Sequence, residues 1–299
     1  MDPNFKKRNQ HYVPQFWQRR FADGTGRLHV RYTQSADKLQ NVKNRGKARP
    51  VNPEKTMTGD YTYTVFDENF RPYDVPEDML AKAENEIKQT EDEILNPATV
   101  VTADLRRRFC RGIAIAACRL PHVMKRSRRL RIALAYALAE VGRMDRAAFD
   151  AKVARFGQIL TDAEYGALKA TPEGELMRQA IYLSELSPQD PNFSEQDALE
   201  AVPMMTEIFN RMDIEILESN GSPFFIVGDT PIPDSDLVMG FTVPLSKTAA
   251  GRFKPATGTP TFSRTAATAA EIAAINEEQY HNSATHVIGP DAAYLDSLV

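Results

Sequence analysis

Four polar side chains, far apart in the sequence, carry the candidate chemistry of this chain: His11, Arg119, Asp229 and Asn276. His11 stands just before a helix opened by Pro14. An imidazole near a helix N-terminus suits a neutral metal ligand or a general acid/base, or it bonds the backbone and fixes the segment. Asp229 follows the apolar run Phe224-Phe225-Ile226-Val227 and precedes Thr230-Pro231. A carboxylate at a strand end is a frequent position for a ligand or base. It is also a good turn former, capping its own backbone while Pro231 sets the next bend. Arg119 closes the apolar run Ile113 to Cys118, so its guanidinium is expected in a partly buried site. A buried arginine needs a partner, and Asp229 is one choice. Asn276 shares a helix face with Ile272 and Tyr280, which makes it either a buried amide in need of hydrogen bonds or a group that orients substrate.

Glu84 and Glu91 lie seven apart, on one helix face, a spacing at which two carboxylates can share a divalent cation with a third residue. His11, Asp229 and Glu84 are the metal candidates. Lys88, four residues after Glu84, favours an ordinary solvated ion-pair face instead. His281 and His286 lack His-x-x-x-His spacing and read as surface residues. The stretch from Arg106 to Arg131 holds nine arginines and Lys125 without an acidic residue, on a chain of net charge −3. Arginine forks match phosphate geometry, so this stretch suits a nucleic acid or nucleotide partner. Equally, its arginines could pair with the acidic helix around Glu84 to Glu93. Arg119, Gln15 and Arg111 are the phosphate-binding candidates. The chain has no Walker A loop, dinucleotide G-x-G-x-x-G, G-x-S-x-G elbow, HExxH or CxxC, which disfavours ATP-driven, nicotinamide, serine-hydrolase and zinc-finger classes.

The elements that must position these residues follow from periodicity. Residues 10–22 read as a short helix whose Phe16, Trp17 and Phe21 should dock on the protein body. Arg27 to Tyr32 and Tyr61 to Phe66 alternate like strands, with a polar loop over 34–59 between them. A helix runs from about Pro76 to Leu95, and Thr102 to Leu217 reads as helical nearly throughout, with breaks at Pro121, Gly142, Pro172 and Ser187 to Asn192. Strands are expected at Pro223 to Val227, Leu237 to Leu245 and near Gly251 to Lys254, then a last helix over about Ala267 to Ala284. The expectation is a single α+β domain over 1–299, with strand-rich 1–75 and 220–299 packed on helical 76–219 and a small, mostly antiparallel sheet built from both ends.

Several of these stretches resemble one family. His11-Tyr12-Val13-Pro14-Gln15-Phe16 resembles the "HyVPqfyL" opening of the bacterial domain-of-unknown-function family 4238. Arg119-Leu120-Pro121 looks like the Arg-Thr-Pro after that family's central helix, and Phe225 to Pro231 like its "fitsDnPv" strand and turn. Pro244-Leu245-Ser246 is similar to its "PLSP" strand. Ile275-Asn276 with Ser283-Ala284 is similar to its late Asn-containing helix. Thr230 stands where the family usually has Asn, and Trp17-Gln18 where it has Tyr-Leu. The resemblance spans nearly the whole chain and implies a bacterial source; it supplies no reaction.

Composition limits the remaining classes. Met1 to Arg8 is polar with no apolar signal region, and the longest apolar run, Ile132 to Ala139, is too short to cross a bilayer. Cys110 and Cys118 are eight apart in a helical pattern, about 12 Å along the axis, too far for a disulfide and consistent with reduced thiols in the cytoplasm. The functional expectation is a cytoplasmic, nuclease-like hydrolase of defence or toxin type, acting on a phosphate-containing substrate with a divalent metal as a possible cofactor. His11, Asp229 and Asn276 would be its catalytic residues. The opposing expectation is a non-catalytic binding protein in which the same residues form a buried polar network.

Overall fold

The computed structural model describes residues 9–33, 47–60, 65–66, 72–73, 75–120, 122–123, 140–154, 161–172, 174–176, 201–233 and 237–298. Within these, the chain is an α+β protein with two four-stranded sheets and a helical middle. The N-terminal part contributes β1 (Asn9–His11), α1 (Gln15–Arg19), β2 (Leu28–Tyr32), β3 (Arg49–Val51) and β4 (Thr58–Asp60). Two short strands, β5 (Val65–Phe66) and β6 (Pro72–Tyr73), pair with each other. The helices that follow are α2 (Val75–Leu95), α3 (Ala103–Cys118), α4 (Arg146–Ala154), α5 (Asp162–Ala170) and α6 (Val202–Asn210). The C-terminal part holds β7 (Met212–Glu218), β8 (Val227–Gly228), β9 (Phe241–Ser246), β10 (Ala249–Pro255), β11 (Phe262–Ala266), α7 (Ala269–Asn282), β12 (His286–Gly289) and α8 (Ala292–Ser297).

One sheet joins the two ends of the chain, in the order β3-β2-β12-β8 with all neighbours antiparallel. This is the sheet expected from the strand composition of both termini. The second sheet, β11-β7-β10-β9, lies entirely in the C-terminal part, and its β11–β7 pair is parallel. Its strand β7 corrects the sequence reading, which took the helix on to Leu217. Met212, Ile214 and Ile216 alternate at period two and are buried, so the pattern is that of a strand, and α6 ends at Asn210. The expected strand over Leu237 to Leu245 is split: Leu237–Met239 is a 3-10 turn, and Gly240, at φ +107°, leads into β9.

Local signals explain the helix ends. Thr102 caps α3 through its hydroxyl to the Leu105 N–H. Thr161 opens α5 and Thr268 opens α7, each with the reciprocal Glu three residues on. The core runs through Phe109 on α3, Phe209 on α6, Phe241 on β9 and Phe253 on β10; the last two rings stack at 4.6 Å. The opening segment docks as its aromatics require. Trp17 is buried and donates its indole N–H to the Pro244 carbonyl at 3.1 Å, and Phe21 is fully buried. Burial of each such ring is worth about 2–3 kcal/mol. That segment begins as a strand: His11 pairs with Thr58, and the helix is confined to Gln15–Arg19 behind Pro14.

The features expected over 61–64, at Pro121, over 132–139 and over 187–192 lie outside the described residues, as do Arg126, Arg128, Arg129 and Arg131. Cys110 and Cys118 are buried free thiols, each pushed up to about 12 by burial. Among the described residues no helix is long and apolar enough to cross a membrane.

Candidate functional site

The residues singled out by sequence fall into three neighbouring clusters. The first surrounds His11. Arg119 donates to the His11 carbonyl at 2.6 Å and to Glu84 Oε1 at 2.5 Å, and Gln15 Nε2 approaches His11 Nδ1 at 3.5 Å. A carbonyl can only accept, so the His11 Nε2 that faces Pro53 O at 3.0 Å carries the proton. Burial lowers the His11 pKa, with the Pro53 carbonyl and then Glu84 opposing the shift. Arg119 is 3% exposed, and the carboxylate it holds is Glu84. Glu84 therefore serves as the anchor of a buried guanidinium rather than the solvated partner of Lys88.

Glu91 also departs from the solvated-face reading. It is buried against Arg20, whose second nitrogen reaches Asp92 at 2.6 Å. Burial raises its pKa from 4.5 to about 7, against the pull of Arg20. The described arginines of the basic stretch are occupied as well. Arg107 pairs with Glu207, Arg108 with Asp104 and Glu93, and Arg111 with Glu86. Arg106 donates to the carbonyls of Asn210 and Thr261. These contacts tie α3 to α2, α6 and the second sheet.

The second cluster surrounds Asp229, placed where β8 ends. Its Oδ1 accepts from the Ala284 N–H at 2.8 Å; Oδ2 accepts from the Thr285 N–H at 2.9 Å and the Thr285 hydroxyl at 2.5 Å. His286 faces it across the strand pair: Asp229 N–H donates to His286 O at 3.0 Å, and Nδ1 lies 3.7 Å from Oδ2. The sequence reading placed His286 on the surface; it is 8% exposed, because Val287 and Ile288 after it form a buried strand. His286 Nδ1 contacts the Thr285 hydroxyl at 2.6 Å, and Nε2 contacts the Thr56 hydroxyl at 2.9 Å.

Donor counting orders this chain. Thr285 has one hydroxyl proton and gives it to Asp229, so it must accept from His286 Nδ1–H. Nε2 is then the bare nitrogen, and it accepts the Thr56 hydroxyl proton. The relay runs one way: Thr56 to His286 to Thr285 to Asp229. Burial lowers the His286 pKa, opposed by Asp229 and assisted by Arg49, so the neutral imidazole this order needs is favoured. Met57, immediately after Thr56, is buried at φ +54°, a conformation that costs an unbranched side chain about 1 kcal/mol or more.

Asn276 and Gln279 form the third cluster. From one face of α7 they bond the segment 224–231 along the side that β12 leaves open. Asn276 Oδ1 accepts from Ile226 N–H at 3.0 Å, while its Nδ2 donates to Phe224 O at 2.8 Å and Tyr294 Oη at 2.6 Å. Gln279 Oε1 accepts from Gly228 N–H at 3.1 Å, and Nε2 donates to Pro231 O at 3.1 Å. Two side-chain amides thus stand in for a neighbouring strand, and the strand expected over 223–227 reduces to Val227–Gly228, the residues that pair with β12.

One short segment joins the first two clusters. Pro53 O holds His11, while Thr56 O accepts from Gln18 Nε2 at 3.2 Å and Thr56 Oγ1 meets His286. Among the described residues no three His, Cys, Asp or Glu side chains gather as a metal-ligand set, so His11, Asp229 and Glu84 are not brought to a common point. Sequence reasoning missed Thr56, Thr285, His286 and Gln279. For His286 the run His-Val-Ile-Gly was a usable strand signal; for Thr56 there was none.

With this architecture in view, the family can be stated. The model of the family described as a protein of unknown function, DUF4238, matches residues 9–293, and the chain belongs to it. The opening strand, the Asp229 turn and the Asn276 helix, whose motifs suggested the family, all lie inside that span. No curated protein matches the chain. No solved structure matches it.

Proposed function

We propose that the protein is a hydrolase of a phosphate-containing substrate, with His286 as the general base. The observation that carries this reading is the one-way relay that leaves His286 Nε2 bare and facing the Thr56 hydroxyl. In the proposed reaction Nε2 takes the Thr56 proton as Oγ1 attacks the ester phosphorus. The leaving oxygen then takes that proton from His286. Water, deprotonated by the same nitrogen, attacks the phosphorus; the Thr56 oxygen leaves and takes that proton from Nε2, which restores the starting state. Asp229, through Thr285, orients the imidazole and steadies the charge it gains. The strained Met57 supports the reading, since such backbone persists where the surrounding structure enforces it. His11 and Asn276 hold the two flanks of the relay in this scheme, and Arg119 and Gln15 hold His11.

The test is release of product from DNA, RNA and p-nitrophenyl phosphate mono- and diesters, each assayed with and without divalent metal. Full-length protein should act on at least one of them. His286→Gln and Thr56→Val should lose about 100-fold or more, the usual contribution of a general base or nucleophile. Equal rates in parent and His286→Gln sink the proposal.

The burial of Thr56, His286 and Asp229, each under 9% exposed, favours a second reading. In it the relay is a polar brace between the N-terminal segment and the sheet, and the protein binds without catalysis. That reading expects these substitutions to lower the melting temperature with no turnover to lose.

A further inference from the structure

The rim of the relay carries an arginine held by an aromatic side chain. Arg49 is exposed on β3, opposite Val30, and so shares a sheet face with Tyr32 two residues further along β2. Its guanidinium carbon lies 5.3 Å from the Tyr32 ring centroid, and Nη2 donates to the Tyr32 hydroxyl at 2.9 Å. The tyrosine ring lies 5.7 Å from the His286 ring. Arg49, Tyr32 and His286 therefore form a row from solvent to the relay.

Arg20, Arg107, Arg108, Arg111, Arg119 and Arg264 each hold a carboxylate within 3.4 Å. Arg49 has none among the described residues; its polar contact is a neutral phenol. That contact and the ring hold the fork against Tyr32, which leaves most of its five N–H groups free to donate.

We infer that Arg49, held against Tyr32, is the anchor for a phosphate group presented to the His286 relay. An ionised phosphate offers two coplanar oxygens to a guanidinium edge, and a preset fork spends little entropy in meeting them. The role of this anchor in turnover rests on the hydrolase reading; its binding of phosphate does not.

The experiment therefore uses full-length protein carrying His286→Gln, which binds without turning over. Calorimetric titration with inorganic phosphate, a mononucleotide and a short single-stranded oligonucleotide gives the three arms. Arg49→Ala should weaken binding about tenfold or more, the scale of a charge-assisted bidentate contact. Arg49→Lys keeps the charge without the fork and should recover only part of it. Tyr32→Phe keeps the ring and should fall between parent and Arg49→Ala. Arg49-dependent binding of phosphate or the mononucleotide assigns the site to a phosphomonoester; Arg49-dependent binding of the oligonucleotide alone assigns it to a phosphodiester. No binding in any arm, or equal binding by Arg49→Ala, overturns the inference. Arg49-dependent binding in a parent protein without turnover upholds the anchor while the hydrolase reading falls.

Discussion

Arg20 on the N-terminal segment and Glu91 on α2 form an ion pair whose carboxylate is almost wholly removed from solvent. Arg20 also donates to the Lys88 carbonyl, and its own carbonyl accepts from Lys247 N–H. The pair therefore fastens the docked segment to α2, while its backbone meets the turn after β9.

This pair gives a pH dependence with a definite sign. In the unfolded chain Glu91 loses its proton near 4.5; in the folded protein it does so near 7, because burial outweighs Arg20. Between those values the folded state holds the extra proton, so the contribution of Glu91 to stability falls as pH rises. The total is about 3 kcal/mol. Urea midpoints measured across this interval should decline more in the parent than in Glu91→Gln. Identical slopes would show that Glu91 ionises alike in both states.

Asp229→Asn separates a simple turn from the site observed. A turn former tolerates the amide, but here three donors converge on the two carboxylate oxygens. An Asn amide group must point its own N–H bonds at one of them. The expected cost is about 1–3 kcal/mol, read from the denaturation midpoint. A change below about 0.5 kcal/mol, the level of an ordinary surface substitution, would falsify the described geometry.

Asn276→Ala leaves the Ile226 N–H, and Gln279→Ala the Gly228 N–H, buried without an acceptor. Each should destabilise the protein by about 1–3 kcal/mol. Because both amides hold the same segment, their effects should not add. A double-mutant cycle with zero coupling energy would mean that the two bonds act independently.

Gly228 is required by a close approach rather than by its dihedral angles. A Cβ there would lie 2.0 Å from Ser283 Oγ and 3.0 Å from the Gln279 carbonyl. Gly228→Ala should cost about 1–3 kcal/mol. Adding Ser283→Ala should return part of this and not all, since the carbonyl stays in place. Thermal melts of the two single variants and the double variant check it.

The sequence was readable where a local pattern carries the information. The aromatic spacing of Phe16, Trp17 and Phe21 announced a docked segment, and the apolar run before Asp229 placed it at a strand end. Asn276 declared itself by lying on an apolar helix face. The relay was not readable, because its members come from residues 56, 229, 285 and 286 and meet only through the β2–β12–β8 pairing. Thr56 lies in a polar stretch with no periodicity, so nothing local separates it from an ordinary loop threonine. Strand β7 was missed because α6 runs into it with only Arg211 between them, leaving no glycine or proline to mark the change of period.

The helix that lends its amides to the segment before Pro231 has a consequence for the protein's behaviour in a crowded solution. A sheet normally ends in a row of unpaired peptide groups on which another chain can template itself. At β8 that row is capped by Asn276 and Gln279. At the opposite border Pro50 has no N–H to offer an incoming strand. The four-stranded sheet that closes the ends of the chain on each other is thus protected at both margins against growth into a fibril.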